Sequence, residues 1–345
     1  MGNIKKLVFG FIFFVLIFGL FFFFLKETDF RFPWQKKYYY EIKKQGCLMG
    51  IISQDYKSLS LPTGFKSFYL AWGDNFPYKE IKNKKNFILY ITWEPYLKKE
   101  PKKSILDKIV SGDYDDYIKK MAVSIKNYKR PVLLRWGHEP NGDWYSWSGF
   151  YNGKNPNSYK NAWIRVADIV RKNGGDNVKL VFSVNGEDKP DKPWNRFENY
   201  YPGDDYVDAV GLDIYNWGKT QSWSNWRSPV SAIKKPYSRA VKMAPFKPIF
   251  ITEVGSCEKG GEKSEWVESF LSKLENRYTA VKGFMWFDYD KECDWRISGS
   301  DKLKERYLNA AKKEKYFSTN PEILDWFFKG RINGDNQSRI NQKDR

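Results

Sequence analysis

Eight short apolar runs, separated by stretches with helical periodicity, constrain this chain more than any other feature of its sequence. The runs are Cys47–Ile52, Ser67–Trp72, Phe87–Thr92, Val132–Trp136, Lys179–Val184, Val207–Leu212, Pro248–Thr252 and Val281–Phe287. They are rich in β-branched and aromatic residues and are bounded by Gly, Pro, Asn or Asp, as strands are. Most are continuously apolar rather than alternating, the pattern of parallel strands covered on both faces. Between them, Tyr114–Tyr128 carries Tyr117, Ile118, Met121, Ala122 and Ile125 at helical spacing. Ser158–Lys172, Val230–Met243, Ser264–Asn276 and Lys302–Lys313 show the same periodicity. Strand and helix alternating in this way predict an α/β fold, a (β/α)8 TIM barrel over residues 46–315.

Both ends differ from this middle. Leu7 to Leu25 is a 19-residue run without charge, dominated by Phe, Leu, Ile and Val. As a helix it would be about 28 Å long, close to one hydrocarbon core. Lys5 and Lys6 precede it, and no small-residue cleavage site closes it at Phe21–Leu25. Residues 1–25 are therefore expected to be an uncleaved transmembrane signal anchor, single-pass, with the barrel on the extracytoplasmic side of the cell membrane. Residues 26–45 would be a Tyr- and Lys-rich juxtamembrane linker, and 316–345 a polar tail.

Composition removes several chemistries. One histidine among 345 residues leaves no His-rich metal site, and a Ser-His-Asp relay would have only His138. Three scattered cysteines cannot form a four-cysteine metal site. No metal and no cofactor are expected. Cys257 and Cys293 follow adjacent strands, so a disulfide is open to them in an oxidising compartment, although spacing does not establish it. The net charge of +18 comes from lysines spread through the sequence without a nucleic-acid motif. It reads as a solvated surface, and no nucleic-acid partner is expected. The sequence assigns no oligomeric state.

In a barrel the reaction site lies just past the C-terminal ends of the strands. The fourth strand runs out through Arg135-Trp136-Gly137-His138-Glu139-Pro140-Asn141-Gly142-Asp143-Trp144, and the seventh through Thr252-Glu253-Val254-Gly255. Glu139 and Glu253 would thus project into one cavity. Glycosidic cleavage needs such a pair, one acid to protonate the departing oxygen and one carboxylate to attack the sugar or activate water. His138 either contacts the sugar and the carboxylates or makes a buried structural hydrogen bond. Arg135 either holds Glu253 ionised or ties the barrel together. Glu94, in the stretch Thr92–Tyr96 after the third strand, and Asn185, after the fifth, are candidate sugar contacts at the mouth; ion pairing with a lysine is the alternative for Glu94. Trp144, Tyr145 and Trp147 lie in a loop with Gly and Asp, where an exposed ring suits a sugar face. Trp217, Trp223 and Trp226 either extend the groove or pack beneath their loop.

The stretch from Arg135 to Trp147 resembles the acid/base motif of glycoside hydrolase family 26, which groups β-mannanases with some β-1,3-1,4-glucanases and β-1,3-xylanases. Phe250–Ser256 is similar to the family's nucleophile strand, and Asp208–Trp217 and Gly283–Phe287 to its sixth and eighth strands. The similarity covers residues 46–300 in order. It implies a retaining double displacement, with Glu139 as general acid/base and Glu253 as nucleophile. It further implies that His138 sits beside them, that Tyr215 hydrogen-bonds the nucleophile, and that Trp144 and Trp286 pack against sugar rings. Trp93, Glu94 and Asn185 complete the expected substrate-binding set, with Arg135 and Asp213 in support. The implied activity is endo-acting hydrolysis of a β-linked polysaccharide, β-1,4-mannan first. Mannan-acting members commonly carry a second histidine from an early strand; here Glu94 lies in that area. Mixed-linkage β-glucan, an exopolysaccharide, or a barrel that only binds glycans are the alternatives.

Overall fold

The computed structural model describes residues 46–329 apart from 54–55, 57–58, 82–85 and 313–315. The expected membrane anchor, the linker at 26–45 and the tail beyond Lys329 lie outside the described residues. Among the described residues no helix is long and apolar enough to cross a membrane.

Among the described residues, nine parallel strands form one curled, TIM-barrel-like sheet. They are β1 (Cys47–Ile52), β2 (Phe65–Trp72), β3 (Ile88–Leu97), β4 (Val132–Trp136), β5 (Val178–Asn185), β6 (Ala209–Asn216), β7 (Ile249–Ser256), β8 (Val281–Phe287) and β9 (Phe317–Ser318). The order is β2-β3-β4-β5-β6-β7-β8-β1-β9. At the seam between β1 and β2, the Gly64 amide donates to the Met49 carbonyl at 2.9 Å. The edge of β1 at Cys47 and Leu48 is taken instead by β9.

The helices are α1 (Tyr78–Ile81), α2 (Leu106–Ser111), α3 (Asp115–Tyr128), α4 (Pro156–Asn173), α5 (Pro229–Met243), α6 (Lys263–Asn276), α7 (Asp301–Lys312) and α8 (Asp325–Lys329). In α3 the residues Ile118, Met121, Ala122 and Ile125 are buried, one stripe at helical spacing. The N-termini of α4 and α5 are set by side-chain caps followed by proline. Asn155 accepts from the Asn157 amide, Ser228 accepts from the Ser231 amide, and Pro156 and Pro229 take the first helical position.

Inside the sheet, Leu48, Phe65, Ile88, Tyr90, Leu133, Val181, Phe250 and Met285 form the lower core, closed from below by Leu324 and Phe327. Residues 316–329 thus differ from the polar tail expected there. The charged residues of this stretch sit between apolar ones spaced to turn inward, and a short 3-10 turn at Pro321–Leu324 leads into α8. Above this core the interior becomes polar, with Arg135, Asp213, Thr92, Ser183 and Thr252 all buried.

Candidate active site

The sheet's pleat decides which side chains reach the upper cavity. On β3, Tyr90 faces the interior core, so Glu94, four residues on, faces inward as well. Trp93 then points outward, fully buried against Trp72 and Tyr117. The same alternation on β8 turns Met285 inward and Trp286 outward, onto Trp266 and Phe270 of α6. Neither Trp93 nor Trp286 lines the cavity, contrary to expectation. The Trp286 indole donates to the Trp295 carbonyl at 2.8 Å, and Trp295, with Tyr289, lines the cavity from the loop after β8.

Strand β7 breaks the alternation. Its pairing slips at Thr252 against both neighbours: Leu212 and Asp213 oppose Ile251 and Glu253, while Phe284 and Trp286 oppose Ile251 and Val254. Such a bulge turns two consecutive residues to one face. The Thr252 hydroxyl donates to Asp213 Oδ1 at 2.6 Å, and Glu253 enters the cavity beside it.

Glu253 is surrounded by donors. The Tyr215 hydroxyl donates to Oε2 at 2.5 Å, the Tyr69 hydroxyl donates to Oε1 at 2.7 Å, and an Arg135 Nη2 hydrogen bond also reaches Oε1. Arg135 is fully buried and its other end is held by Asp213 through Nη1, at 3.0 and 2.8 Å, and by Thr92 at 3.0 Å. Three donors converging on one carboxylate fix its orientation and compensate its negative charge.

Glu139 follows β4 on a different backbone. Gly137 and Glu139 both adopt positive φ, 51° and 50°, and Glu139 is not a residue that favours this region. The segment is pinned on both sides, with the Gly137 amide donating to Trp93 O and the Glu139 amide to Ser183 O. The carboxyl accepts from Asn185 Nδ2 at 2.7 Å and from the Trp144 indole at 2.9 Å. Burial, and then the nearby Glu253, push its pKa up to about 7, against the lowering effect of the Asn185 hydrogen bond. Asn141, fully buried, ties the loop to β5 by accepting from the Asn185 amide and donating to Asn185 O.

His138 does not reach the cavity. Its buried ring packs near Tyr69 and Trp147, and Nε2 meets the Tyr145 hydroxyl at 3.0 Å. Burial, with Arg135 nearby, holds its pKa well below the usual histidine value, so the ring is neutral and positions Tyr145, which does line the cavity. Trp147 is buried against Tyr145, leaving Trp144 as the exposed ring among residues 144–147. Trp226 packs over Gly261, whereas Trp217 and Trp223 line the cavity.

The cavity measures about 670 Å³ and holds Glu94, Glu139, Asn185, Asp213, Tyr215 and Glu253 together. Burial pushes the Glu94 pKa up to about 7, as for Glu139. Among the described residues no group of three His, Cys, Asp or Glu is disposed to hold a metal. Tyr69 and Trp295 were not visible as site residues in the sequence. Tyr69 had a signal, since it shares one strand face with Phe65 and Ser67; Trp295 had none. The Cys257–Cys293 disulfide is formed, with Cα atoms 6.1 Å apart, and clamps the loop that carries Trp295.

A parallel barrel-like sheet that brings a donor-held carboxylate and a buried, proton-retaining one into one aromatic cavity has the layout of a glycoside hydrolase. Residues 64–281 match the family model described as Glycosyl hydrolase family 26, and the chain belongs to that family. The family is a retaining one. Endoglucanase H of Acetivibrio thermocellus is 37% identical over 249 residues, 70% of this chain and 27% of that protein. Mannan endo-1,4-beta-mannosidase A and B of Caldalkalibacillus mannanilyticus is 30% identical over 236 residues, 66% of this chain and 39% of that protein. The match thus spans less than half the length of each of these relatives. A family 26 β-mannanase structure from Bacteroides ovatus superposes with a TM-score of 0.61 at 16% identity, covering 83% of this chain and 94% of that one. At that identity it speaks for the fold alone.

Proposed function

We propose that the protein cleaves internal bonds of a β-linked polysaccharide by a retaining double displacement on a closed (β/α)8 barrel. The observation that carries this is the opposite setting of the two carboxyls. Glu253 is held as an acceptor by Tyr69, Tyr215 and Arg135, while burial keeps a proton on Glu139 near neutrality. In the first step a Glu253 oxygen attacks the anomeric carbon as Glu139 gives its proton to the departing glycosidic oxygen, leaving a glycosyl ester on Glu253. In the second, Glu139, now ionised, takes a proton from a water that attacks the same carbon, and Glu253 leaves as a carboxylate. Two inversions return the original anomeric configuration. An open cavity lined by Trp144, Trp217 and Trp223 suits cleavage within a chain.

The similarity to an endoglucanase supports β-glucan as the first substrate to test, and the similarity to a mannosidase supports β-mannan next. A disulfide suits an oxidising compartment, which supports a barrel working outside the cytoplasm.

The test is oligosaccharide release by the purified full chain from mixed-linkage β-glucan, β-mannan and β-1,3-xylan, with the anomer of the first product read by NMR. The β-anomer is expected first, from one polymer, and Glu253→Ala and Glu139→Ala should abolish release. Activity that survives Glu253→Ala, or release of the α-anomer, would overturn the mechanism.

A further inference from the structure

Trp223 is the most exposed large apolar side chain among the described residues, at 61%, yet its loop is tightly fixed. Thr220 Oγ1 donates to Trp217 O at 2.6 Å, Ser224 Oγ to Gly218 O at 2.8 Å, the Lys219 amide to Lys259 O at 2.7 Å and the Arg227 amide to Asn216 Oδ1 at 2.9 Å. The ring is therefore held out in solvent rather than left there by a slack loop. It is also the last member of a series of touching rings that begins at the reaction centre. Tyr215, one of the hydrogen-bond donors to Glu253, lies 4.9 Å from Trp295; Trp295 lies 4.8 Å from Trp217; and Trp217 lies 5.4 Å from Trp223. All four line the same cavity. At the outer end the Lys189 ammonium sits 5.8 Å from the Trp223 ring centre, beside Glu187 at 3.2 Å, so polar donors and acceptors flank the ring.

A rigid, exposed aromatic face continuous with a sugar-cleaving cavity, and rimmed by hydrogen-bonding side chains, is complementary to the C–H face of a pyranose and its ring hydroxyls. We infer that Trp223, backed by Trp217, is an outer binding site for the polysaccharide chain, taking sugars that lie beyond those at the two carboxyls. This rests on the glycosidase reading above. The site binds the polymer equally before and during bond cleavage, because it does not touch the reacting atoms. It therefore acts on KM for long substrates and leaves kcat alone.

Trp223→Ala is compared with the native chain on soluble polymer and on an aryl β-disaccharide too short to reach from the carboxyls to Trp223. A rise of about tenfold in KM for polymer, with kcat within about twofold and the disaccharide unaffected, is expected. The exposed pair Phe150 and Tyr151, 41% and 53% exposed and outside the cavity, provides the control: Phe150→Ala/Tyr151→Ala should leave both substrates unchanged. An unchanged polymer KM, or an equal loss on both substrates, would overturn the proposal. Electrophoresis in gels containing β-glucan or β-mannan keeps the test independent of catalysis, using Glu253→Ala with and without Trp223→Ala. Retardation that disappears with Trp223 supports the outer site even if no polymer is cut; retardation that persists, or none with Trp223 present, refutes it.

Discussion

The two carboxyls of this site are distinguished by their neighbours, and that distinction sets how activity responds to pH. Glu139 is pushed up to about 7, so the loss of its proton should bring kcat/KM down above roughly that pH. The Asn185 and Trp144 hydrogen bonds favour its ionised form. Asn185→Ala removes one of them, and the alkaline limb of the kcat/KM profile should move to higher pH; a limb that stays or falls would remove Glu139 as its origin. Glu94 carries a second raised carboxyl, about 7 against an ordinary 4.5. For a carboxyl with a raised folded-state pKa, the native state binds more protons than the unfolded chain between those two values. Stability is then greatest below the lower value and falls as pH rises to the upper one. Glu94→Gln should accordingly stabilise the protein at pH 8, by about 3 kcal/mol at most, and do little at pH 4. Thermal unfolding at the two pH values checks this, and equal shifts at both would rule out ionisation as the cause.

Single elements of the fold carry the next set of decisions. The bulge in β7 turns Thr252 and Glu253 to the same face, so that one hydroxyl steadies Asp213 while the adjacent carboxylate enters the cavity. The loop after β8 is fixed at three places. Cys293 is bonded to Cys257, the Lys263 ammonium donates to the carbonyls of Asp294 and Arg296 at 2.8 and 2.7 Å, and the Asp288 carboxylate accepts from the Ile297 and Ser298 amides. The double substitution Cys257→Ser/Cys293→Ser leaves two of these anchors in place and should lower unfolding free energy by about 3–4 kcal/mol, the chain-entropy value for a loop of this length. It should leave kcat near native. Urea denaturation with parallel kinetics tests both halves, and a collapse of kcat at a temperature where the fold persists would show that the disulfide alone holds Trp295 in place.

For the molecule as a whole, the end of the described chain is part of the core. Leu324 and Phe327 close the bottom of the sheet, so Leu324→Ala should cost about 2–5 kcal/mol although it lies in a stretch that reads as polar. Chemical denaturation measures it, and a cost below about 0.5 kcal/mol would show that this closure is dispensable. The eight strands, the main helices and the positions of Glu139, Glu253, Glu94 and Asn185 were legible in the sequence. Apolar runs and helical periods are local properties, and a short motif at a strand end carries its position with it. The apolar runs stop short wherever the strand continues into polar residues, as at Trp93–Leu97 and Asp213–Asn216. The order of residues along the chain is enough to specify the barrel-like alternation and the pair of carboxyls it brings to one end. Packing in three dimensions sets which face each tryptophan takes: Trp93 and Trp286 serve the wall, Trp295 and Trp223 face the cavity, and Tyr69 joins Glu253 across 184 residues of chain. Pleat, bulge and register act between strands far apart in sequence, and no local pattern records them.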